Sequence, residues 1–181
     1  MAIEIEKKYR LTELEIGRLN DRLRELAAVD QGDEFEENIL FFGGALDPAR
    51  TVLRLRKLKG RALLTYKERF PSDSAIKHQR EDESLVDDPD ALVEILGALG
   101  FRPALVYEKR RRTWHVSGAE VVLDELPFGW YAEIEGDEAS IIAAETALDL
   151  QDAEVEHLTY PELTKQHGRQ VGDLVEARFT V

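Results

Sequence analysis

From its first residues the chain alternates. In MAIEIEKKYR, Ile3, Ile5 and Tyr9 fall on one side of an extended backbone and Glu4, Glu6 and Lys8 on the other, a period of two that predicts a strand over residues 1–10. The period then changes. Thr12 and Glu15 are spaced as a capping box, and Ile16, Leu19, Leu23 and Leu26 recur at helical intervals, so an amphipathic helix is predicted over about residues 13–29. EFEENILFF reads as a second strand stopped by Gly43-Gly44, and TVLRLRKL and RALLTYKER as a hairpin turning at Lys59-Gly60-Arg61. Pro71 to Ser74 is a loop, and KHQREDESLV is the next strand.

Asp88-Pro89 caps and opens a second helix that runs to Leu99, with Leu92, Val93, Ile95, Leu96 and Leu99 as its apolar face and Gly100 as its stop. ALVYEKRRRTWHV and EVVLDEL are separated by Ser117-Gly118 as a hairpin, and Pro127-Phe128-Gly129 turns the chain into WYAEIEG. Asp137 or Ser140 caps a third helix to about Leu148, and YPELTKQHG is a short fourth. QVGDLVEARFTV has strand character but no evident place. With no repeat, low-complexity segment or linker, a single domain over residues 1–181 is expected. About eight strands, mostly hairpin-connected and interrupted by helices, predict an α+β architecture on a large antiparallel sheet or barrel.

Composition narrows the function. The 37 acids outnumber the 24 bases for a net charge of −13, which disfavours nucleic acid and anionic membranes as partners; any anion site must be built locally, from clusters such as LRLRKLKGR and EKRRR. There is no cysteine, so disulfides, zinc–thiolate sites and thiol nucleophiles are excluded, in keeping with a reducing compartment. No apolar run approaches the ~20 residues of a membrane span, and a cytoplasmic protein is expected.

The strands pair an apolar face with a fully ionised one. Glu4, Glu6 and Lys8 oppose Ile3 and Ile5; Arg54 and Arg56 oppose Leu53 and Leu55; Asp124 opposes Leu123; Glu133 and Glu135 oppose Ala132 and Ile134. A plain solvated face explains any one of these. Taken together with Lys109, Arg111, Glu81 and Glu83, they place charges of both signs on the side opposite the core. If the sheet curls into an eight-stranded barrel, that side becomes the interior, wide enough for one small ligand. Such an interior must hold water, ions or a charged ligand. Arg and Lys suit phosphate oxygens, and carboxylates at i, i+2 suit Mg²⁺ or Mn²⁺, so the combination points to a metal-complexed polyphosphate. His78, His115, His157 and His167 show no metal-ligand spacing, FFGGALD lacks the lysine of a P-loop, and Trp114 and Trp130 fall on the core side of the alternation.

The ordered series Glu4-x-Glu6-x-Lys8, LRLR at 53–56, TYK ending at Lys67, REDE at 80–83, KRR at 109–111, Leu123-Asp124, GWYAEIE at 129–135 and TYPEL from Thr159 resembles the CYTH family of triphosphate tunnel metalloenzymes. That family includes class IV adenylyl cyclases, thiamine triphosphatases and inorganic tripolyphosphatases. The resemblance covers about residues 3–165 and leaves 168–181 as a C-terminal extension. It implies an eight-stranded antiparallel closed barrel, the tunnel, with helices packed outside. It further implies that Lys8, Arg54, Arg56, Lys67, Lys109 and Arg111 bind the triphosphate, and that Glu4, Glu6, Glu81, Glu83, Asp124, Glu133 and Glu135 bind Mg²⁺ or Mn²⁺, with Glu4, Glu6 and Lys8 as the catalytic group. A one-residue change of register would replace Glu81 and Glu83 by Arg80 and Asp82. The expected function is metal-dependent hydrolysis of tripolyphosphate or an organic triphosphate. Conversion of ATP to cyclic AMP and pyrophosphate by a class IV cyclase is the alternative. It is placed second because those cyclases often carry a His-Phe pair upstream of the first motif, where only Met1, Ala2 and Ile3 stand here. A polyphosphate-binding module without turnover is the third reading. The expected partner is a small-molecule triphosphate, with no nucleic acid or membrane; a homodimer is an allowed assembly.

Overall fold

The alternating segments become strands and the 3.6-period segments helices, in the order β1 (Ala2–Leu11), α1 (Glu13–Glu25), β2 (Val29–Gly43), β3 (Thr51–Leu58), β4 (Arg61–Arg69), β5 (Lys77–Val86), α2 (Pro89–Ala98), β6 (Phe101–Val116), β7 (Ala119–Leu126), β8 (Gly129–Glu135), α3 (Glu138–Ala147), α4 (Tyr160–His167), β9 (Arg169–Val171) and β10 (Leu174–Ala177). The structure, a computed structural model, describes residues 2–70 and 77–180, and at residues 2–4, 77 and 78 the backbone alone. The loop expected at Pro71 to Ser74 lies outside the described residues.

Eight strands pair antiparallel in the order β2-β3-β4-β5-β1-β8-β7-β6, and β2 pairs again with β6 from Val29 opposite His115 to Gly43 opposite Phe101. The sheet is therefore strongly curled, with a convex and a concave face. This long β2–β6 ladder also explains where the first helix ends. Residues 26–29 were expected to be helical, yet Leu26 caps α1, Ala27 takes a φ of 52° and the Ala28 N–H donates to the Leu23 carbonyl. The chain thereby reverses in time for Val29 to enter the sheet.

The apolar faces point outward, to the helices. Tyr9, Leu11, Trp114, Val121, Leu123 and Ile134 pack with Ile16, Leu19 and Leu23 of α1 and Ile141 and Ala144 of α3, and Ile5 and Trp130 join at the margin. Trp114 and Trp130 thus belong to the core side. Asp137 rather than Ser140 caps α3. On α2, Leu96 is buried against Phe41, Leu55 and Ala62 with Leu92 and Val93 beside it, while Ile95 and Leu99 of the expected apolar face stay 56% and 65% exposed. The short α2 turns only about one side to the sheet, so a stripe read from five apolar residues is wider than the contact it makes.

One helix departs from the expected arrangement. α4 lies on the concave side, where Tyr160 and Leu163 pack with Leu40, Leu105, Tyr107 and Tyr131. These are the positions that alternate with the outward-facing Phe41, Val106 and Ala132. Not every helix packs outside, because one end of the concave face is apolar and needs cover. The unplaced C-terminal stretch also finds its position. β10 runs parallel to β6, with Val175 opposite Leu105 and Ala177 opposite Tyr107, along an edge that β7 leaves free because its own pairing extends only to Arg110 opposite Glu125. Arg178 then reaches Glu37 and Glu108 at 2.6 and 2.9 Å. Among the described residues no helix is long and apolar enough to cross a membrane.

At the end of the β2–β6 ladder, Gly43 has a φ of +126°, and a Cβ there would lie 2.3 Å from the Gly100 carbonyl oxygen. Gly43→Ala is expected to destabilise the fold by about 1–3 kcal/mol through backbone strain, measured as a lower urea midpoint with an unchanged m-value.

Candidate functional site

Because one strand face is apolar and helix-bound, the other is committed to the concavity, and its charged residues meet there. A cavity of about 380 Å³ is lined by Glu6, Lys8, Arg54, Arg56, Lys67, Glu81, Glu83, Lys109, Arg111, Glu133 and Glu135. Asp124 sits behind that lining, fully buried. Of the residues expected to bind phosphate or metal, Glu4 alone has its side chain outside the described residues; its backbone pairs with Gln79 on β5. The register on β5 is also visible. Glu81 takes the Lys67 ammonium at 2.7 Å and Glu83 accepts from the Thr65 hydroxyl at 3.0 Å. Arg80 and Asp82 pair with each other at 2.6 Å on the opposite face, with Arg80 over the Tyr66 ring.

The charges are graded by depth. Glu83 and Glu135 are exposed, Glu81 and Glu133 half-buried, and Lys8 and Lys109 fully buried. Glu135 pairs across the strands with Glu6 on one side and Glu120 on the other, so acids crowd one end of the cavity. Deeper in, Glu133 bridges Lys8 at 3.2 Å and Arg111 at 2.6 Å. Arg111 holds Asp124 through two hydrogen bonds, Nε to Oδ1 at 2.7 Å and Nη2 to Oδ2 at 2.6 Å.

Two participants were not singled out in the sequence. Glu36 of β2, 1% exposed, faces Lys109 at 3.3 Å, Arg56 at 3.8 Å and Arg111 at 4.0 Å. Burial alone would neutralise it, but Lys109, Arg111, Arg56 and Arg54 together hold its carboxyl well below the usual carboxylate range. Its alternation with Phe35 and Glu37 was weak evidence, because Glu34 and Glu37 flank the same run. The second is Tyr160, the first residue of α4. Its hydroxyl donates to Asp124 Oδ2 at 2.7 Å, and the Lys8 ammonium lies 4.0 Å from its ring centroid. The sequence placed Tyr160 in TYPEL and at the start of a short helix but gave it no role in the site, and the helix is capped by Thr159 with Glu162.

Burial and the repulsion of Arg111 push the Lys109 ammonium down to about 8, against the opposing pull of Asp124, Glu36 and Glu133. Arg54 and Arg56 retain buried guanidinium nitrogens, Nε and Nη2 of the first and Nε of the second, with no hydrogen-bond partner among the described residues. The available metal donors are carboxylate oxygens, which suit a hard cation. Among the described residues no three acids or histidines converge closely enough to cage an ion, an arrangement compatible with Mg²⁺, which is held by one or two carboxylates while waters and substrate phosphates complete its shell.

The CYTH domain model matches residues 2–166 of the chain. No curated protein matches it in sequence. Among solved structures, the PH1012 protein of Pyrococcus horikoshii OT3 is 29% identical, with 88% of this chain and 98% of that one covered and a TM-score of 0.76. The PH1819 protein of the same organism is 25% identical, with 90% and 98% covered and a TM-score of 0.70. HpAC1 from Hippeastrum, described as having a dominant triphosphatase activity, is 18% identical, with 95% and 98% covered and a TM-score of 0.72.

The ionic lattice makes two measurable demands. Glu36→Gln leaves buried cations without their shared anion and is expected to destabilise the protein by about 3–5 kcal/mol in urea unfolding. For Lys109, the folded pKa of about 8 lies below the unfolded 10.5. Below pH 8 both states hold the proton and the buried charge weighs fully against folding. From about pH 8 to 10.5 the unfolded state holds more protons, so stability rises with pH. Relative to Lys109→Met, the wild type is expected to gain about 3 kcal/mol across that window.

Proposed function

The chain belongs to the CYTH family, and from that premise we propose that it is a divalent-metal-dependent enzyme that processes triphosphates by hydrolysing tripolyphosphate or an organic triphosphate. One observation carries the reading. Buried guanidinium nitrogens of Arg54 and Arg56 have no hydrogen-bond partner among the described residues, Glu36 approaching Arg56 no nearer than 3.8 Å, in a cavity that also presents Lys8, Lys67, Lys109 and Arg111. Each unpaired buried donor costs about 1–3 kcal/mol, and the closely spaced oxygens of a phosphate chain would relieve several at once. The strongly negative net charge likewise supports a small-molecule partner met inside the cavity rather than nucleic acid met outside it.

In this reading the curled sheet is the family's tunnel, with α4 filling its apolar end. The six basic residues hold the phosphate chain. Glu6, Glu133 and Glu135, together with Glu4, Glu81 and Glu83, are assigned to Mg²⁺ or Mn²⁺. A cation held by these carboxylates would neutralise charge on the phosphate oxygens and so favour in-line attack at phosphorus. Water forms a bond to the terminal phosphorus as the bridging P–O bond breaks, releasing orthophosphate and leaving pyrophosphate or its organic ester. The charge that develops on the leaving oxygen is stabilised by the guanidinium groups of Arg54, Arg56 and Arg111, already fixed in place. The proton lost by the water goes to Glu6 or Glu135, neighbours across β1 and β8.

Orthophosphate and cyclic AMP release, measured side by side from tripolyphosphate and ATP with Mg²⁺ or Mn²⁺, tests the proposal. Orthophosphate is expected; cyclic AMP without orthophosphate would assign the cyclase reaction instead, and tight binding with no product a binding module. Glu6→Gln is expected to reduce turnover at least 100-fold with an unchanged circular dichroism spectrum, and Arg54→Ala to raise KM about tenfold or more, the scale of a lost charged hydrogen bond.

A further inference from the structure

We infer that Asp124 is not a ligand of the divalent cation but a positioning residue: with Tyr160 it aims Arg111 at the phosphate chain, leaving the cation to the carboxylates at the exposed end of the cavity. This rests on the triphosphate reading of the site, and it departs from the metal role that the family resemblance implies for Asp124.

The argument starts from the oxygens of the carboxylate. Oδ1 accepts from Arg111 Nε at 2.7 Å. Oδ2 accepts from Arg111 Nη2 at 2.6 Å and from the Tyr160 hydroxyl at 2.7 Å, with the Lys109 ammonium at 3.6 Å. A carboxylate offers about four lone-pair directions, and a cation such as Mg²⁺ needs an oxygen at about 2.1 Å. Three of those directions are taken, and to use the one left on Oδ1, or to displace the phenol from Oδ2, the cation would have to settle against a guanidinium and an ammonium in a place closed to solvent, since Asp124 is 0% exposed. At this depth like charges repel strongly. Glu135, by contrast, is exposed, with Glu6 and Glu120 opposite it on the neighbouring strands, so a cation can reach a carboxylate there directly from solvent.

The surroundings of Asp124 are those of a brace. Asp124 stands directly opposite Arg111 in the β6–β7 ladder, so its short side chain meets the guanidinium in a fixed two-bond geometry. Tyr160 is delivered by a segment clamped along β1: the Arg10 N–H donates to the Glu154 carbonyl and the Glu156 N–H to the Lys8 carbonyl, both at 2.9 Å. The Thr159–Glu162 capping box then fixes the first turn of α4. Burial, reinforced by Asp124 and Glu133, pushes the Tyr160 hydroxyl up, favouring the protonated form that donates to Asp124. Arg111 in turn has Nη2 on Glu133 at 2.6 Å. Through this one guanidinium the buried brace and the carboxylates nearer the opening share a joint, and the orientation of the joint is set by Asp124 and Tyr160.

The test separates metal binding from phosphate binding. Mn²⁺ affinity of the free protein is followed by electron paramagnetic resonance, and metal-free tripolyphosphate affinity by calorimetry, for the wild type, Asp124→Asn, Tyr160→Phe and Glu135→Gln. Asp124→Asn is expected to keep Mn²⁺ affinity within about twofold and to weaken tripolyphosphate at least tenfold; Glu135→Gln is expected to do the reverse. Tyr160→Phe keeps the ring under Lys8 and removes only the hydroxyl, and so serves if Asp124→Asn does not fold. It is expected to raise KM for tripolyphosphate severalfold at saturating metal with kcat within twofold and Mn²⁺ affinity unchanged. Loss of Mn²⁺ affinity in Asp124→Asn or Tyr160→Phe comparable to that in Glu135→Gln, or unchanged tripolyphosphate affinity in both, would overturn the inference while leaving the triphosphate reading intact. A wild type that binds neither Mn²⁺ nor tripolyphosphate would end both.

Discussion

A sheet that curls around its charged face must neutralise what it encloses. Lys8, Lys109, Glu36 and Asp124 are all at most 2% exposed, and a charge removed from water persists only beside its opposite, with its hydrogen bonds met. The arrangement follows from that constraint. Lysines and arginines on β1, β3, β4 and β6 face acids on β2, β5, β7 and β8, so the lattice ties strands that are distant in sequence and its partners help to specify register. Loss of one member would leave its neighbours charged and dry.

The lattice is nevertheless incomplete on its cationic side, and function enters there. Arg54 and Arg56 keep buried donors without a hydrogen bond among the described residues. A phosphate chain would supply oxygens for the guanidinium groups. The site is thus held close to its ligand-bound form by interactions that the ligand complements, which limits reorganisation on binding. α4 contributes by closing off the apolar end and by placing a phenol where Asp124 needs a donor.

Much of this could be read from residues in order. Strict alternation in EIEKK, LRLRK and WYAEIE identified strands and which side chains share a face, because a period of two leaves no other assignment. Capping residues at Thr12 and Asp88 marked helix starts, and Asp137 or Ser140 a third that the structure assigns to Asp137, because an N-cap is a local exchange between neighbours. Glu36 escaped because it stands among other acids in EFEEN, and nothing local distinguishes the one that faces inward until β2 is paired with β6. α1 was drawn too long because Leu26 keeps the helical period, whereas the chain there obeys the longer-range demand of the ladder that begins at Val29.

The sequence by itself determined most of the elements, the division of the strands into an apolar and a charged face, and the mixed-charge character of the side chains that line the cavity. These depend on periodicity and side-chain chemistry, which act over a few residues. Only the tertiary structure decided that α4 enters the concavity, that the C-terminal strand lies parallel to β6, and that Asp124 is occupied by Arg111 and Tyr160. Each of these depends on contacts between residues far apart in the chain. Whether a carboxylate is free to bind a metal is settled by which donors reach it first, and position in the chain does not encode that distance.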